Sequence, residues 1–178
     1  MNEAAPHLQE LKKLLFETGA VKTGEFILSS GKKSNFYIDC RKATLHPQGA
    51  KLIGKIVLDK IKDMKADAVG GMTLGADPIV GAVITLGNIP GFIVRKKEKE
   101  HGTKQKIEGH IEKGWSVVIV EDVATTGASA LQAIEAVEAA GANVVKVISV
   151  VDREEGAAKA LKEYNFDPIL KKSDLMPV

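Results

Sequence analysis

Val117-Val118-Ile119-Val120 is a run of four β-branched residues with no polar interruption. A strand with one wet face alternates apolar and polar side chains. An unbroken run fits a strand covered on both faces, as in parallel sheets. A second run spans Val144 to Val151, and between them Thr126 to Ala140 reads as an Ala-rich helix closed by Gly141. Parallel neighbours need a crossover, and the helix supplies it. The alternation extends upstream through Ala68-Val69-Gly70-Gly71 as a strand, a helix carrying Ile79, Val80, Val83 and Ile84, and Gly91-Phe92-Ile93-Val94-Arg95 as a strand. Downstream, Glu154 to Tyr164 reads as a further helix. The pattern predicts an α/β fold, a doubly wound parallel sheet with flanking helices.

Residues 1 to about 45 do not share that rhythm. Leu8, Leu11, Leu14 and Leu15 fall at helical spacing before Gly19. Glu25 to Ser29 and Phe36 to Asp39 read as two strands about the turn Ser30-Gly31-Lys32-Lys33-Ser34. After Pro47 an amphipathic helix carries Leu52, Ile53, Ile56, Val57 and Ile61. The expectation is a single domain of 178 residues, an N-terminal element over about 1–45 and a core over about 46–178.

Composition narrows the function classes. With 44% hydrophobic and 27% charged residues the chain can bury an ordinary core. A net charge of +2 is too small to coat nucleic acid. Cys40 is the only cysteine, which excludes an internal disulfide and fits a reducing compartment. The start, MNEAAPHLQELKK, has no apolar signal region. The longest uncharged run, Pro78 to Val94, is broken by glycines and Pro90 and falls short of the ~20 residues of a membrane span. A soluble cytoplasmic protein with neither membrane nor nucleic-acid partner is expected.

The chemistry gathers where strands end, the place ligands occupy in open α/β sheets. After Val120 come Glu121, Asp122, Val123, Ala124, Thr125, Thr126, Gly127, Ala128 and Ser129. The turn opens a helix, whose first amides bind anions, and its small residues let backbone approach a ligand closely. The hydroxyls of Thr125, Thr126 and Ser129 can add donors. Two carboxylates repel a phosphate, so Glu121 and Asp122 call for sugar hydroxyls or a metal-bound sugar. Together these features describe a ribose phosphate site. An ordinary strand–turn–helix with a Thr N-cap presents the same residues.

This string resembles the phosphoribosyl-pyrophosphate (PRPP) motif of type I phosphoribosyltransferases. The resemblance runs from about residue 8 to 170 and is closest to the branch that uses orotate. It implies transfer of a 5-phosphoribosyl group from Mg-PRPP to orotate, giving orotidine 5'-monophosphate and diphosphate in pyrimidine biosynthesis. It implies Mg²⁺ as cofactor, carried mainly by the substrate's oxygens, with no metal ligand assigned to the protein. It implies a small N-terminal base-binding hood and a homodimer. Two alternatives remain: a purine phosphoribosyltransferase, and a non-catalytic PRPP-sensing regulator.

The segment Arg95 to Lys106 holds six bases against two acids and little apolar content. Alone it fits a solvated loop or a nucleic-acid patch, although no aromatic interleaves the bases. The resemblance places Arg95, Lys96, Lys99 and His101 on a lid over 96–109 that closes on diphosphate and is shared between subunits. It gives catalytic roles to Lys99, His101 and Asp122, and PRPP binding to Glu121 through Ser129 with the four lid residues. It gives orotate binding to Thr125 and to Arg153, at the end of Val150-Val151-Asp152-Arg153. A guanidinium suits a carboxylate better than an ammonium does. Phe36 and Tyr37 fall in the hood, where they either flank the base or join the core. The chain departs from some members at Ser29 and at Thr73-Leu74, where those members carry Lys contacts. Lys32, Lys33 and backbone amides near Gly75 stand as candidate substitutes.

Three further patterns lead nowhere. Gly109 to Ser116 nearly spells a P-loop, but Trp115 holds the essential Lys position and the string precedes a strand. Histidines 7, 46, 101 and 110 lack metal-ligand spacing. No G-x-G-x-x-G occurs, so dinucleotide binding has no support.

Overall fold

A computed structural model describes residues 4–27, 33–96 and 106–176. Helix α1 (Ala4–Glu17) precedes a two-stranded antiparallel sheet of β1 (Val21–Ile27) and β2 (Lys33–Ile38). Strand β1 begins earlier than its apolar residues suggest because Val21 pairs with Ile38. A short helix, α2 (Arg41–Thr44), leads into α3 (Pro47–Ile61), which starts on the expected proline.

The alternation follows: β3 (Ala68–Met72), α4 (Asp77–Gly87), β4 (Gly91–Val94), β5 (Ile107–Gly109), β6 (Ser116–Ala124), α5 (Ala128–Ala139) and β7 (Asn143–Asp152). The chain ends with α6 (Ala157–Ala160), a 3₁₀ turn at Lys162–Tyr164, β8 (Leu170–Lys171) and α7 (Lys172–Leu175). The large sheet has the order β5-β4-β3-β6-β7-β8, parallel throughout except for β5. The doubly wound expectation holds. Within the core, several details differ from the sequence reading. Strand β6 runs four residues past Val120, α5 starts at Ala128, the expected 154–164 helix breaks into two short pieces, and β5 lies inside the polar stretch.

Burial on β6 alternates between two cores. Val118 and Val120 join Ile79, Val80 and Val83 of α4, while Val117 and Ile119 join Ala133, Ile134 and Val137 of α5. One face thus packs under α3 and α4 and the other under α5, as a strand with no wet face requires. The first core also takes in Leu11, Leu15 and Phe36, so the N-terminal element is packed into the main body. Lys146, buried on β7, donates to Asp167 at 2.9 Å, and Lys60 of α3 reaches the same carboxylate at 2.5 Å. Burial raises the Asp167 carboxyl, but these two partners outweigh it and hold it below its usual range. Among the described residues no helix is long and apolar enough to cross a membrane.

From β3 the chain crosses to β4 on one side, and from β6 to β7 on the other. The carboxyl ends of β3 and β6 therefore flank a switch point, where the two following loops diverge and leave a crevice.

Candidate functional site

The turn after β6 is held from outside. The amides of Arg153 and Ala157 donate to the carbonyls of Ala124 and Thr125 at 2.8 and 3.1 Å. The amides of Thr125, Thr126 and Gly127 find no acceptor among the described residues. Gly127 is left-handed at φ 84°, and a Cβ there would meet Leu161 at 3.2 Å. The glycine thus serves both the conformation and the packing against the α6 segment. An open row of amides at the head of a twelve-residue helix suits an anion.

Glu121 and Asp122 stand just before that turn, still on the β6 ladder, where Glu121 pairs with Ser149 of β7. Glu121 is 6% exposed and its Oε1 has no partner among the described residues. Burial, then the charges of Asp122 and Asp152, push its carboxyl up to about 8. Burial also raises Asp122, opposed by the Val123 N–H that donates to Oδ1 at 2.9 Å and by the charge of Arg41. Gly75, in the loop after β3, comes so close that a Cβ there would lie 2.3 Å from Asp122 Oδ1. The β3 and β6 loops meet at that point.

A cavity of about 330 Å³ occupies the crevice. Its walls are Asp39 to Arg41 from the end of the hood, Thr73 to Ala76 from the β3 loop, Lys96, the acid pair with Val123, and Ser129. Of the residues expected from sequence, Lys96, Glu121, Asp122, Val123 and Ser129 are brought together here. Thr125, Thr126 and Gly127 form the adjoining turn, between Ala124 at the end of β6 and Ala128 at the start of α5. Arg95 and Arg153 are not on these walls. Arg95 Nη1 donates to Glu108 at 3.1 Å, and its amide donates to the Lys106 carbonyl at 2.8 Å, closing the β4–β5 hairpin. Arg153 Nε donates to Glu155 at 2.9 Å. Lys99 and His101 lie outside the described residues, as do Ser29 and Lys32. Phe36 is fully buried core, whereas Tyr37 is exposed and lies 5.8 Å from the Phe26 ring.

The sequence reading missed Asp39 and Arg41. Arg41 Nε donates to Asp39 Oδ1 at 2.8 Å, and this bond with the positive charge holds the Asp39 carboxyl below its usual range against a smaller cost of burial. Between them the Cys40 thiol is buried and pushed well up by desolvation. No local signal marks Arg41, because its proximity to Asp122 comes only from the packing of the N-terminal element on the sheet.

The donor set fits a hard cation that brings its own oxygens. Glu121 offers an unpartnered buried carboxyl oxygen beside Asp122, and oxygen donors are what Mg²⁺ takes. Among the described residues no group of three or more ligating side chains could hold an ion alone.

Known proteins match this architecture. The phosphoribosyl transferase domain family matches residues 43–171. The orotate phosphoribosyltransferase of Methanocaldococcus jannaschii is 50% identical over 160 residues, covering 90% of each chain. The crystal structure of the Mycobacterium tuberculosis orotate phosphoribosyltransferase in complex with PRPP superposes with a TM-score of 0.82 at 38% identity, covering 96% of this chain and 99% of that one. The Aeropyrum pernix orotate phosphoribosyltransferase gives 0.81 at 33% identity, covering 93% and 95%.

Proposed function

This chain belongs to the phosphoribosyltransferase family, and on that premise we propose the reaction it performs and the role of each residue in its crevice. It is an orotate phosphoribosyltransferase, a pentosyltransferase of pyrimidine biosynthesis that converts orotate and PRPP to orotidine 5'-monophosphate and diphosphate. The observation that carries the site assignment is the meeting of an open-amide turn, a buried acid pair and the β3 loop around one cavity.

Thr125 to Ser129 hold the 5-phosphate, whose charge the turn's amides and hydroxyls match. Glu121 and Asp122 take the ribose hydroxyls, fixing the sugar over the cavity. Thr125 and Arg153 bind orotate; the Arg153 guanidinium exchanges Glu155 for the base's carboxylate. The ring nitrogen of orotate attacks the anomeric carbon as the bond to diphosphate breaks through an oxocarbenium-like sugar, and the proton of that nitrogen leaves with the departing diphosphate. No protein nucleophile is needed, so positioning and electrostatics supply the rate. Arg95 at its root, with Lys96, Lys99 and His101, receives the departing diphosphate on a lid that ends where β5 begins at Ile107. When bound, Mg²⁺ would ride mainly on the substrate's own oxygens beside Glu121 and Asp122 and would supply charge neutralisation at the diphosphate. Residues 1–45 act as hood and 46–178 as PRPP-binding core. The lid is shared across a homodimer, and the protein acts in the cytoplasm, where the free thiol of Cys40 stays reduced.

The test is loss of orotate absorbance on mixing protein, Mg²⁺ and PRPP, with EDTA as control and adenine, guanine and xanthine as competing bases. Orotate is expected to be consumed, and EDTA to stop it. Consumption of a purine in its place would overturn the assignment of the base.

A further inference from the structure

Two cations line the cavity among the described residues, Lys96 and Arg41. The β3 loop that forms the neighbouring wall, Gly71 to Asp77, carries no base of its own, and Asp77 adds an acid. Yet the loop is built to receive an anion. The amides of Leu74 and Gly75 donate to no acceptor among the described residues, while those of Thr73, Ala76 and Asp77 are all engaged. Two consecutive open amides in a turn form a concavity for negative charge. Such a wall needs a positive group from elsewhere in the fold.

Arg41 supplies one. Its Nε and its backbone amide both donate to Asp39 Oδ1, at 2.8 and 3.3 Å, which fixes the root and plane of the guanidinium. Its two terminal amino groups have no partner among the described residues. A surface ion pair alone contributes little to stability, and this pair leaves the outer edge of the fork without a partner among the described residues. That edge can take two oxygens of a phosphoryl group at once, as an ammonium cannot. Arg41, at the start of α2, lines the same cavity as Asp122, Leu74 and Gly75, so its guanidinium borders the crevice.

Position separates this subsite from the 5-phosphate turn. The open amides of Thr125 to Gly127 lie outside the cavity's walls, whereas Arg41, Leu74 and Gly75 line it together with the acid pair. A ribose seated on the acids with its 5-phosphate in the turn leaves the rest of the cavity, lined by Arg41 and the β3 loop, for its anomeric substituent. We propose that Arg41, braced by Asp39, binds the diphosphate of PRPP together with the Leu74 and Gly75 amides, and so supplies the counter-charge that the β3 loop lacks. This rests on the phosphoribosyltransferase reading of the site.

The experiment is calorimetric titration of the full-length protein with inorganic diphosphate plus Mg²⁺, and separately with ribose 5-phosphate, for wild type, Arg41→Ala and Arg41→Lys. Losing a charge-assisted pair of bonds predicts diphosphate binding weakened about 10- to 100-fold in Arg41→Ala. Arg41→Lys should recover only part of the loss, and ribose 5-phosphate should bind all three alike. In turnover the KM for PRPP should rise while that for orotate stays put. Unchanged diphosphate affinity in Arg41→Ala overturns the proposal. So does an equal loss for ribose 5-phosphate, which would signal a general disturbance, or a loss confined to orotate, which would put Arg41 at the base. Failure of the wild type to consume orotate would instead strike the reading of the base and leave the diphosphate result to stand by itself.

Discussion

Glu121 is where burial has its largest chemical consequence. The folded carboxyl, pushed up to about 8, keeps a proton that the unfolded chain releases near the ordinary 4.5. The native state therefore binds more protons across that interval, and stability must fall as pH rises. The contribution is full below 4.5 and is lost as pH passes through about 8. Glu121→Gln removes the titration, so its melting temperature without substrate should vary less with pH than that of wild type between about 5 and 9. Parallel profiles would show that Glu121 titrates normally. Lys99, identified by sequence resemblance alone, carries a separate expectation. Replacing a preorganised donor to the leaving group with Ala should lower kcat by about 10²–10³, measured with saturating substrates. Near-normal turnover would remove Lys99 from the mechanism. The acid pair could be found in the sequence because its residues are adjacent and follow an apolar strand. Arg41 could not, because only the fold brings it to the β3 loop.

Elements were legible where their neighbours agreed with local preference. The runs at Val117 and Val144 became adjacent parallel strands because only a two-sided core suits them. Their ends were set by pairing. Strand β6 continues through Glu121 to Ala124 because β7 offers ladder partners as far as Asp152. Helix α5 starts late because Gly127, left-handed, cannot belong to it. The expected 154–164 helix fails for a related reason: Glu154 and Gly156 both have positive φ, at 59° and 118°, and leave only a short α-turn behind. Strand β5 was hidden because an edge strand has few apolar residues to display; two of its three residues are half-buried. Gly127 tests the element-level account. Gly127→Ala should cost about 1–2 kcal/mol for the left-handed backbone, or roughly 2–8 °C in Tm for a chain of this size. It should also weaken ribose 5-phosphate binding, read by the same titration. An unchanged Tm would mean that the turn relaxes freely.

At the scale of the whole molecule, the proposed sharing of the lid would make the active enzyme a property of two chains. Mixing a Lys99→Ala variant with one disabled in the phosphate turn should then regenerate about a quarter of wild-type activity. Half the dimers would be mixed, each with one intact site. No recovery after subunit exchange would mean that each chain closes its own site. The β4–β5 hairpin gives this idea a geometric limit. The hydrogen bond from the Arg95 amide to the Lys106 carbonyl pins both ends of the intervening stretch to one spot. A peptide can advance no more than about 3.5 Å per residue, so a stretch that must return to its origin reaches some 17 Å at its farthest point. Any pocket served by Lys99 or His101, in the same chain or the next, must fall inside that tether radius, plus the length of one side chain. Two subunits can exchange these residues only if they dock with their hairpins turned toward each other's crevices.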